Sequence, residues 1–224
     1  MASSLILAII LAYLPIFFWI KFFLRIDKEK PEPLFWLFIL FLLGIISAPF
    51  IYYLQNIFLK EIPLFFAAFI EEIFKLFIPF IILKKNKYFD EAVDGIVYLI
   101  SFGLGLAFVE NIGVAFKEIF LSHSFSSALS FLFLRFLGAN LLHALTSAFL
   151  GYFFALYLLK RKNLFLFKGL VIATFFHWFF NYFMLHFSFS IFLVMLMIFI
   201  NLIILIFKWG RFLKAIRQPI KYPF

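Results

Sequence analysis

Seven apolar stretches, each close to the length that crosses a lipid bilayer, take up almost the whole of this chain. They occupy residues 4–24, 34–56, 63–83, 95–116, 128–158, 165–185 and 187–207. A membrane-spanning helix needs about 20 predominantly apolar residues, and long continuous apolar runs differ from the alternating pattern of barrel strands. The sequence therefore predicts an all-α polytopic membrane protein, in which residues 1–224 form one domain, a single bundle of about seven transmembrane helices.

The basic residues are concentrated in alternate connections between these stretches. Sixteen of the 20 Lys and Arg residues lie in or beside the first, third and fifth connections or after residue 207, whereas the second and fourth connections hold only Lys60 and Lys117. Basic loops stay on the cytoplasmic side of a membrane. We therefore expect an outside amino terminus and a cytoplasmic carboxy terminus. The net charge of +9 then indicates contact with anionic lipid headgroups at the cytoplasmic face, and no nucleic-acid partner.

The third stretch carries three charged side chains, Glu71, Glu72 and Lys75. A charged residue at the centre of a bilayer costs about 2.5–3.5 kcal/mol on insertion scales, so such residues usually have a function. Residues four apart lie on the same face of a helix. Glu71 and Lys75 should therefore face one side, with Glu72 beside them.

Three other stretches carry polar side chains at a similar depth. These are Glu110 and Asn111 in the fourth stretch, Arg135 and His143 in the fifth, and His177 and Asn181 in the sixth. Counted at about 1.5 Å per residue from the helix ends, they converge in the outer half of the bilayer, with His143 somewhat deeper. The small residues Gly103, Gly105, Ala107 and Gly113 predict that other helices approach the fourth helix closely.

This set of side chains suits hydrolysis of a carbonyl compound without a covalent intermediate. A carboxylate in an apolar site can take a proton from water. An imidazole can assist that transfer or bind a metal, and an amide with a second imidazole can donate hydrogen bonds to a developing oxyanion. The chain has no cysteine, which excludes thiol catalysis and thiolate metal sites. Asp90, Glu91 and Asp94, near the start of the fourth helix, are interpreted as structural.

Two other functions use the same residue types. A proton- or ion-coupled transporter also needs buried Glu, His and Lys residues, but it predicts repeated, broken helices, and no such repeat is present in the sequence. A haem protein with His143 and His177 as axial ligands would leave the buried carboxylates unexplained.

The motifs, taken in order, resemble the PrsW family of intramembrane proteases, which is distantly related to the CAAX prenyl endopeptidases. They are DKEKPEP (27–33), EEIFK (71–75), DGIVY (94–98), GLGLAFVEN (103–111), HALTSAFLG (143–151) and HWFFN (177–181). The resemblance implies a bacterial cell-membrane enzyme that cleaves a transmembrane protein substrate, such as an anti-sigma factor.

The resemblance also assigns residues to roles. It implies catalytic roles for Glu71, Glu72, His143, His177 and Asn181, and it places Glu110 and Asn111 in a further family motif. Together with Glu110 and Asn111, the two cations within apolar stretches, Lys75 and Arg135, are predicted to support the site. A zinc ion, if one is used, would bind Glu72, His143 and His177. We expect metal-free catalysis in preference to zinc, because the sequence has no HExxH motif and the CAAX-type relatives activate water with a glutamate and a histidine.

Overall fold

A computed structural model describes residues 2–27, 30–58, 64–121 and 123–186, together with the single residues 204 and 208. These ranges contain helices and no strand. The helices are α1 (Ala2–Phe23), α2 (Leu34–Phe58), α3 (Leu64–Leu83), α4 (Ala92–Phe116), α5 (Phe125–Leu137), α6 (Ala139–Lys160) and α7 (Leu164–His186). A 3-10 turn, Leu24–Asp27, follows α1, and a π-helical turn, Lys117–Leu121, follows α4.

Five helical segments in this part of the chain are long and apolar enough to cross a membrane. They are Ile6–Phe23, Leu34–Ile57, Ala92–Phe120, Phe125–Lys160 and Leu164–His186. The helix α3, with 20 residues, is also long enough to cross a membrane. It is not among these five segments because it carries Glu71, Glu72 and Lys75. The all-helical prediction is thus confirmed within the described ranges.

The predicted fifth helix, 128–158, needs a correction. It consists of two helices, α5 and α6, separated at Gly138, whose φ of −110° and ψ of −90° are not helical. Glycine is a poor helix former and tolerates unusual backbone angles, so the break falls on it. The predicted seventh helix, 187–207, lies outside the described residues except for residue 204.

The helix α4 lies at the centre of the bundle, because small residues allow its neighbours to approach. A methyl group on Gly95 would lie 2.5 Å from the carbonyl oxygen of Gly151 in α6. On another face, Gly105 lies against Gly44 and the carbonyl oxygen of Phe41 in α2. The close approach predicted at Gly105 is therefore present. At Gly113, by contrast, a methyl group would meet no atom of another described element within 4 Å.

The remaining helices pack around α4 and α6. The helix α7 runs antiparallel to α6, with Gly169 against the ring of Phe153, and α3 packs on both, with the rings of Phe80 and Phe154 5.4 Å apart. The helix α5 is held to α1 by Trp19, whose indole Nε1 donates to the carbonyl oxygen of Phe136 at 2.9 Å. This arrangement directs the polar residues of α3, α4, α6 and α7 into one interior space.

Two of the basic connections meet at one end of the bundle. Lys30 forms an ion pair with Asp90, which joins the connection after α1 to the connection before α4. Asp94 accepts a hydrogen bond from the backbone N–H of Glu91 at 2.6 Å and so caps the start of α4. These contacts agree with a structural role for the acids of this segment.

The same end contains a buried acid, Glu32, which accepts a hydrogen bond from the hydroxyl of Tyr98. Burial, and to a smaller extent the nearby carboxyl groups of Asp27 and Asp90, raise the pKa of Glu32, whereas its hydrogen bonds with Tyr98 and Asp94 lower it. The net effect raises the pKa from 4.5 to about 7. The carboxyl group is then neutral in the folded protein over a pH range where it is charged in the unfolded chain.

We expect Glu32→Gln to flatten the dependence of stability on pH. In the wild type, the stabilisation from neutral Glu32 is complete below about pH 4.5 and is lost as the pH rises towards 7, by up to roughly 1 kcal/mol per pH unit. Glutamine stays neutral throughout. Unfolding temperatures of both proteins in detergent between pH 5 and 8 test this, and parallel curves would contradict it.

Candidate active site

Glu72 lies at the centre of the buried polar group. Its side chain and that of Lys75 are both fully buried, and the Lys75 ammonium donates to Glu72 Oε1 at 2.6 Å. The same oxygen lies 2.6 Å from Nδ1 of His177 on α7, and Lys75 also donates to the hydroxyl of Thr146 on α6 at 3.2 Å. A buried charge is tolerated when it is paired and hydrogen-bonded, so these contacts fix three helices around one carboxylate.

Glu71, the neighbouring residue, is held differently. The side-chain amide of Gln55 on α2 donates to Glu71 Oε1 at 2.9 Å and to the carbonyl oxygen of Ala67 at 3.2 Å. The other oxygen, Oε2, is buried without a hydrogen-bond partner among the described residues and lies 3.6 Å from His177 Nε2. A water molecule to one side of this contact could form hydrogen bonds with both atoms.

A second carboxylate network faces this pair from α4. Arg135 Nη2 donates to Glu110 at 2.6 Å, and Arg135 Nε donates to Asn111 Oδ1 at 2.6 Å. His143 Nε2 lies 3.3 Å from Glu110, while Asn111 Nδ2 donates to the carbonyl oxygen of Ala12 at 3.2 Å. Asn111 therefore anchors α4 to α1 and orients Arg135.

The two histidines join the networks. Their ring centroids are 5.3 Å apart with nearly perpendicular planes. His177 Nδ1 contacts Glu72, and His143 Nε2 contacts Glu110. The second nitrogen of each ring is therefore not used by these carboxylates. His143 Nδ1 has no hydrogen-bond partner in the described part of the chain. Rings in direct contact leave no room for a haem between them.

Three residues could share a metal ion. One ligand atom from each of Glu71, His143 and His177 lies within 4.8 Å of the others. Two imidazoles and a carboxylate form a competent catalytic zinc set, and the unpartnered Glu71 Oε2 and His143 Nδ1 fit such an ion as well as a water molecule. The sequence prediction placed Glu72 in this set, whereas the carboxylate that lies within reach of both histidines in the structure is that of Glu71.

The predicted residues thus fall into a compact group, with one exception. Asn181 lies one turn beyond His177 on α7 and is half-buried. Within the described ranges its side chain makes no hydrogen bond to the group. Its predicted contact with an oxyanion remains a prediction.

Gln55 is the residue that sequence reasoning missed. It lies near the end of an apolar stretch, where a polar residue is usually an interface residue. The sequence offers no signal that separates Gln55 from its polar neighbours Tyr52, Tyr53 and Asn56.

A groove between α2 and α4 leads to the carboxylates. It has a volume of about 470 Å³ and is lined by Ala48, Pro49, Ile51, Tyr52, Gln55, Glu71, Leu106, Val109, Glu110, Gly113, Val114, Lys117 and Arg135. The lining is mostly apolar, with Glu71, Glu110 and Arg135 among its few charged residues. A peptide segment in this groove would therefore lie beside two carboxylates.

The chain is similar in sequence to known membrane proteins. Residues 32–206 match the family described as PrsW family intramembrane metalloprotease. The protein named Protease PrsW from Geobacillus kaustophilus is 28% identical over 168 residues, which cover 70% of this chain and 71% of that protein. Those of the same name from Clostridioides difficile and Bacillus subtilis are 32% and 33% identical, over 49% and 42% of this chain and 50% and 46% of their own lengths. No solved structure matches the chain.

Proposed function

The chain belongs to the PrsW family of intramembrane proteases, and from this premise we propose that it hydrolyses a peptide bond in a membrane-protein substrate with water activated by Glu71. The observation that carries the proposal is the position of Glu71. One of its oxygens is held by Gln55, while the other is unpartnered among the described residues and faces His177 across 3.6 Å.

In this reaction, a water molecule lies beside Glu71 Oε2 and His177 Nε2, within hydrogen-bonding distance of both, on the side where His143 Nδ1 is unpartnered among the described residues. Glu71 takes a proton from the water while the oxygen adds to the scissile carbonyl carbon. The proton then passes to the peptide nitrogen, the carbon–nitrogen bond breaks, and an acid and an amine are released. A developing oxyanion in the groove would face the guanidinium of Arg135.

The other residues position these groups. Glu72 accepts from His177 Nδ1 and so presents Nε2 to the water, while Lys75 compensates the charge of Glu72. Glu110 holds His143 in the same way, and Gln55 fixes the orientation of Glu71. We assign Gln55 a positioning role.

The substrate is a segment of a membrane protein, as the apolar groove and the family both favour. An anti-sigma factor is the class implied by resemblance. Backbone carbonyls in a substrate helix are already hydrogen-bonded, so the segment must unwind before water can attack. Segments with small or helix-breaking residues should be cut fastest.

Incubation of the purified protein with single-span substrates tests the proposal directly. The wild type should release two products of defined termini, and Glu71→Ala should release none. A transporter is not favoured by the family, and transport of ions without any cleavage would overturn the proposal in favour of that alternative.

We also propose an arrangement of the chain in the membrane. The charge bias of the connections supports seven spans, of which α3 is one, with the amino terminus outside and the carboxy terminus in the cytoplasm of a bacterial cell. Reporter fusions at the carboxy terminus should be active on the cytoplasmic side. A fusion found on the outer side would refute this topology.

A separate prediction concerns metal. A divalent ion held by Glu71, His143 and His177 would supply Lewis-acid polarisation of a carbonyl or a bound water. We nevertheless expect metal-free activity. The Lys75 ammonium is a buried positive charge that donates to Glu72 Oε1, the same oxygen that His177 Nδ1 contacts, and it would repel a divalent ion held by His177. Elemental analysis and activity after chelation decide this. One zinc per chain, whose removal abolishes cleavage and whose return restores it, would overturn the expectation.

A further inference from the structure

Lys117 is a groove-lining cation that the mechanism does not use. It follows the last residue of α4 and is exposed. Within the described ranges it forms no ion pair, and the adjacent acid, Glu118, is turned towards α5, where it accepts from the hydroxyl of Ser127 at 2.6 Å. The ammonium group is therefore available to a ligand in the groove.

The position of Lys117 relative to the carboxylates follows from helix geometry. Glu110 and Lys117 are seven residues apart, so they lie on nearly the same face of α4, about 10.5 Å apart along its axis. Gly113 and Val114 form the groove wall between them, and no described residue of another element fills the space beside Gly113. The groove therefore runs past Gly113 from one side chain towards the other.

An extended peptide covers this distance in about three residues, at roughly 3.3 Å per residue. If its scissile bond lies beside Glu71 and Glu110, a side chain about three residues away lies beside Lys117. Arg135 lies beside Glu110 and pairs with it at 2.6 Å, so it belongs to the reaction centre and not to a position three residues away.

We propose that Lys117 selects substrates with an acidic side chain about three residues from the scissile bond, on the side nearer the end of α4. The inference rests on the proposed proteolysis and adds a charge requirement to it. An exposed ion pair has a modest free energy, so the preference for Asp over Lys at this position should be about three- to tenfold. It should weaken at high salt.

The test uses one single-span substrate in which each residue near the mapped cleavage site is replaced in turn by Asp, Ala or Lys. Cleavage rates are divided by the rate of the matching Ala substrate. Wild-type enzyme should prefer Asp at a single position about three residues away. Lys117→Glu should reverse this to a preference for Lys, and Lys117→Gln should remove it.

Lys168→Glu is the matched control, since Lys168 is exposed near the opposite end of the bundle. It should retain the wild-type preference. Cleavage of the substrates without charge preference at any position in the wild type, or a preference unchanged in Lys117→Glu, would overturn the inference and leave the proteolysis intact. Failure of the wild type to cut any substrate would overturn both.

Discussion

Replacement of Glu71 by glutamine is expected to lower the cleavage rate by about 10²–10⁴-fold, the usual contribution of a general base. Glutamine has nearly the same shape, and its side-chain oxygen can still accept from Gln55, which donates to Glu71 Oε1 at 2.9 Å in the wild type. The variant should therefore fold normally while losing the group that takes the proton from water.

The measurement is the initial rate of product formation, followed by mass spectrometry, beside the unfolding temperature in the same detergent. Glu118→Gln is the matched control, because that carboxylate lies outside the site and is bound to Ser127; it should keep wild-type activity. Undiminished proteolysis by Glu71→Gln, at normal expression, would eliminate Glu71 as the base.

Replacement of Lys75 by methionine should have the largest effect on stability. Lys75 and Glu72 are both fully buried and 2.6 Å apart, so the substitution leaves a buried carboxylate without its cation. Breaking a buried pair in this way costs about 3–5 kcal/mol. We expect the free energy of unfolding in detergent to fall by that amount.

A second variant separates the charge from the packing. Lys75→Met combined with Glu72→Gln removes both charges and should recover most of the lost stability, since exchanging a whole buried pair for neutral groups is often close to neutral. The double variant should nevertheless remain inactive, because His177 has lost its carboxylate. A double variant no more stable than the single one would contradict this explanation.

The helical fold and the clustering of the polar residues could be predicted from the sequence for one physical reason. Charged side chains in apolar stretches are costly, so Glu72, Lys75 and His177 are stable there only when they contact one another. Their contacts at 2.6 Å are the arrangement that this cost requires.

Which of two adjacent glutamates faces which imidazole could not be predicted. Consecutive residues point about 100° apart around a helix, and the rotation of α3 against α6 and α7 depends on packing over the whole helix. For this reason the sequence placed Glu72 among the possible metal ligands where the structure places Glu71.

The break at Gly138 and the role of Gln55 escaped sequence analysis for related reasons. Hydropathy is insensitive to backbone angles, so residues 128–158 read as one helix. The role of Gln55 depends on its hydrogen bond with Glu71, which lies 16 residues away on the next helix. A polar residue near the end of an apolar stretch is ordinarily attributed to the membrane surface.

The pairing of Glu72 with Lys75 has a consequence for how the chain enters the membrane. The two residues are three positions apart in one helix, whereas His177 lies 105 residues beyond Glu72. During synthesis, α3 therefore meets the bilayer before its histidine partner exists. Because the helix brings its own counter-charge, this part of it can be inserted as a neutral pair, and the histidines dock later. A lysine moved to another helix could preserve the finished contacts, yet α3 would then enter the lipid with an uncompensated carboxylate.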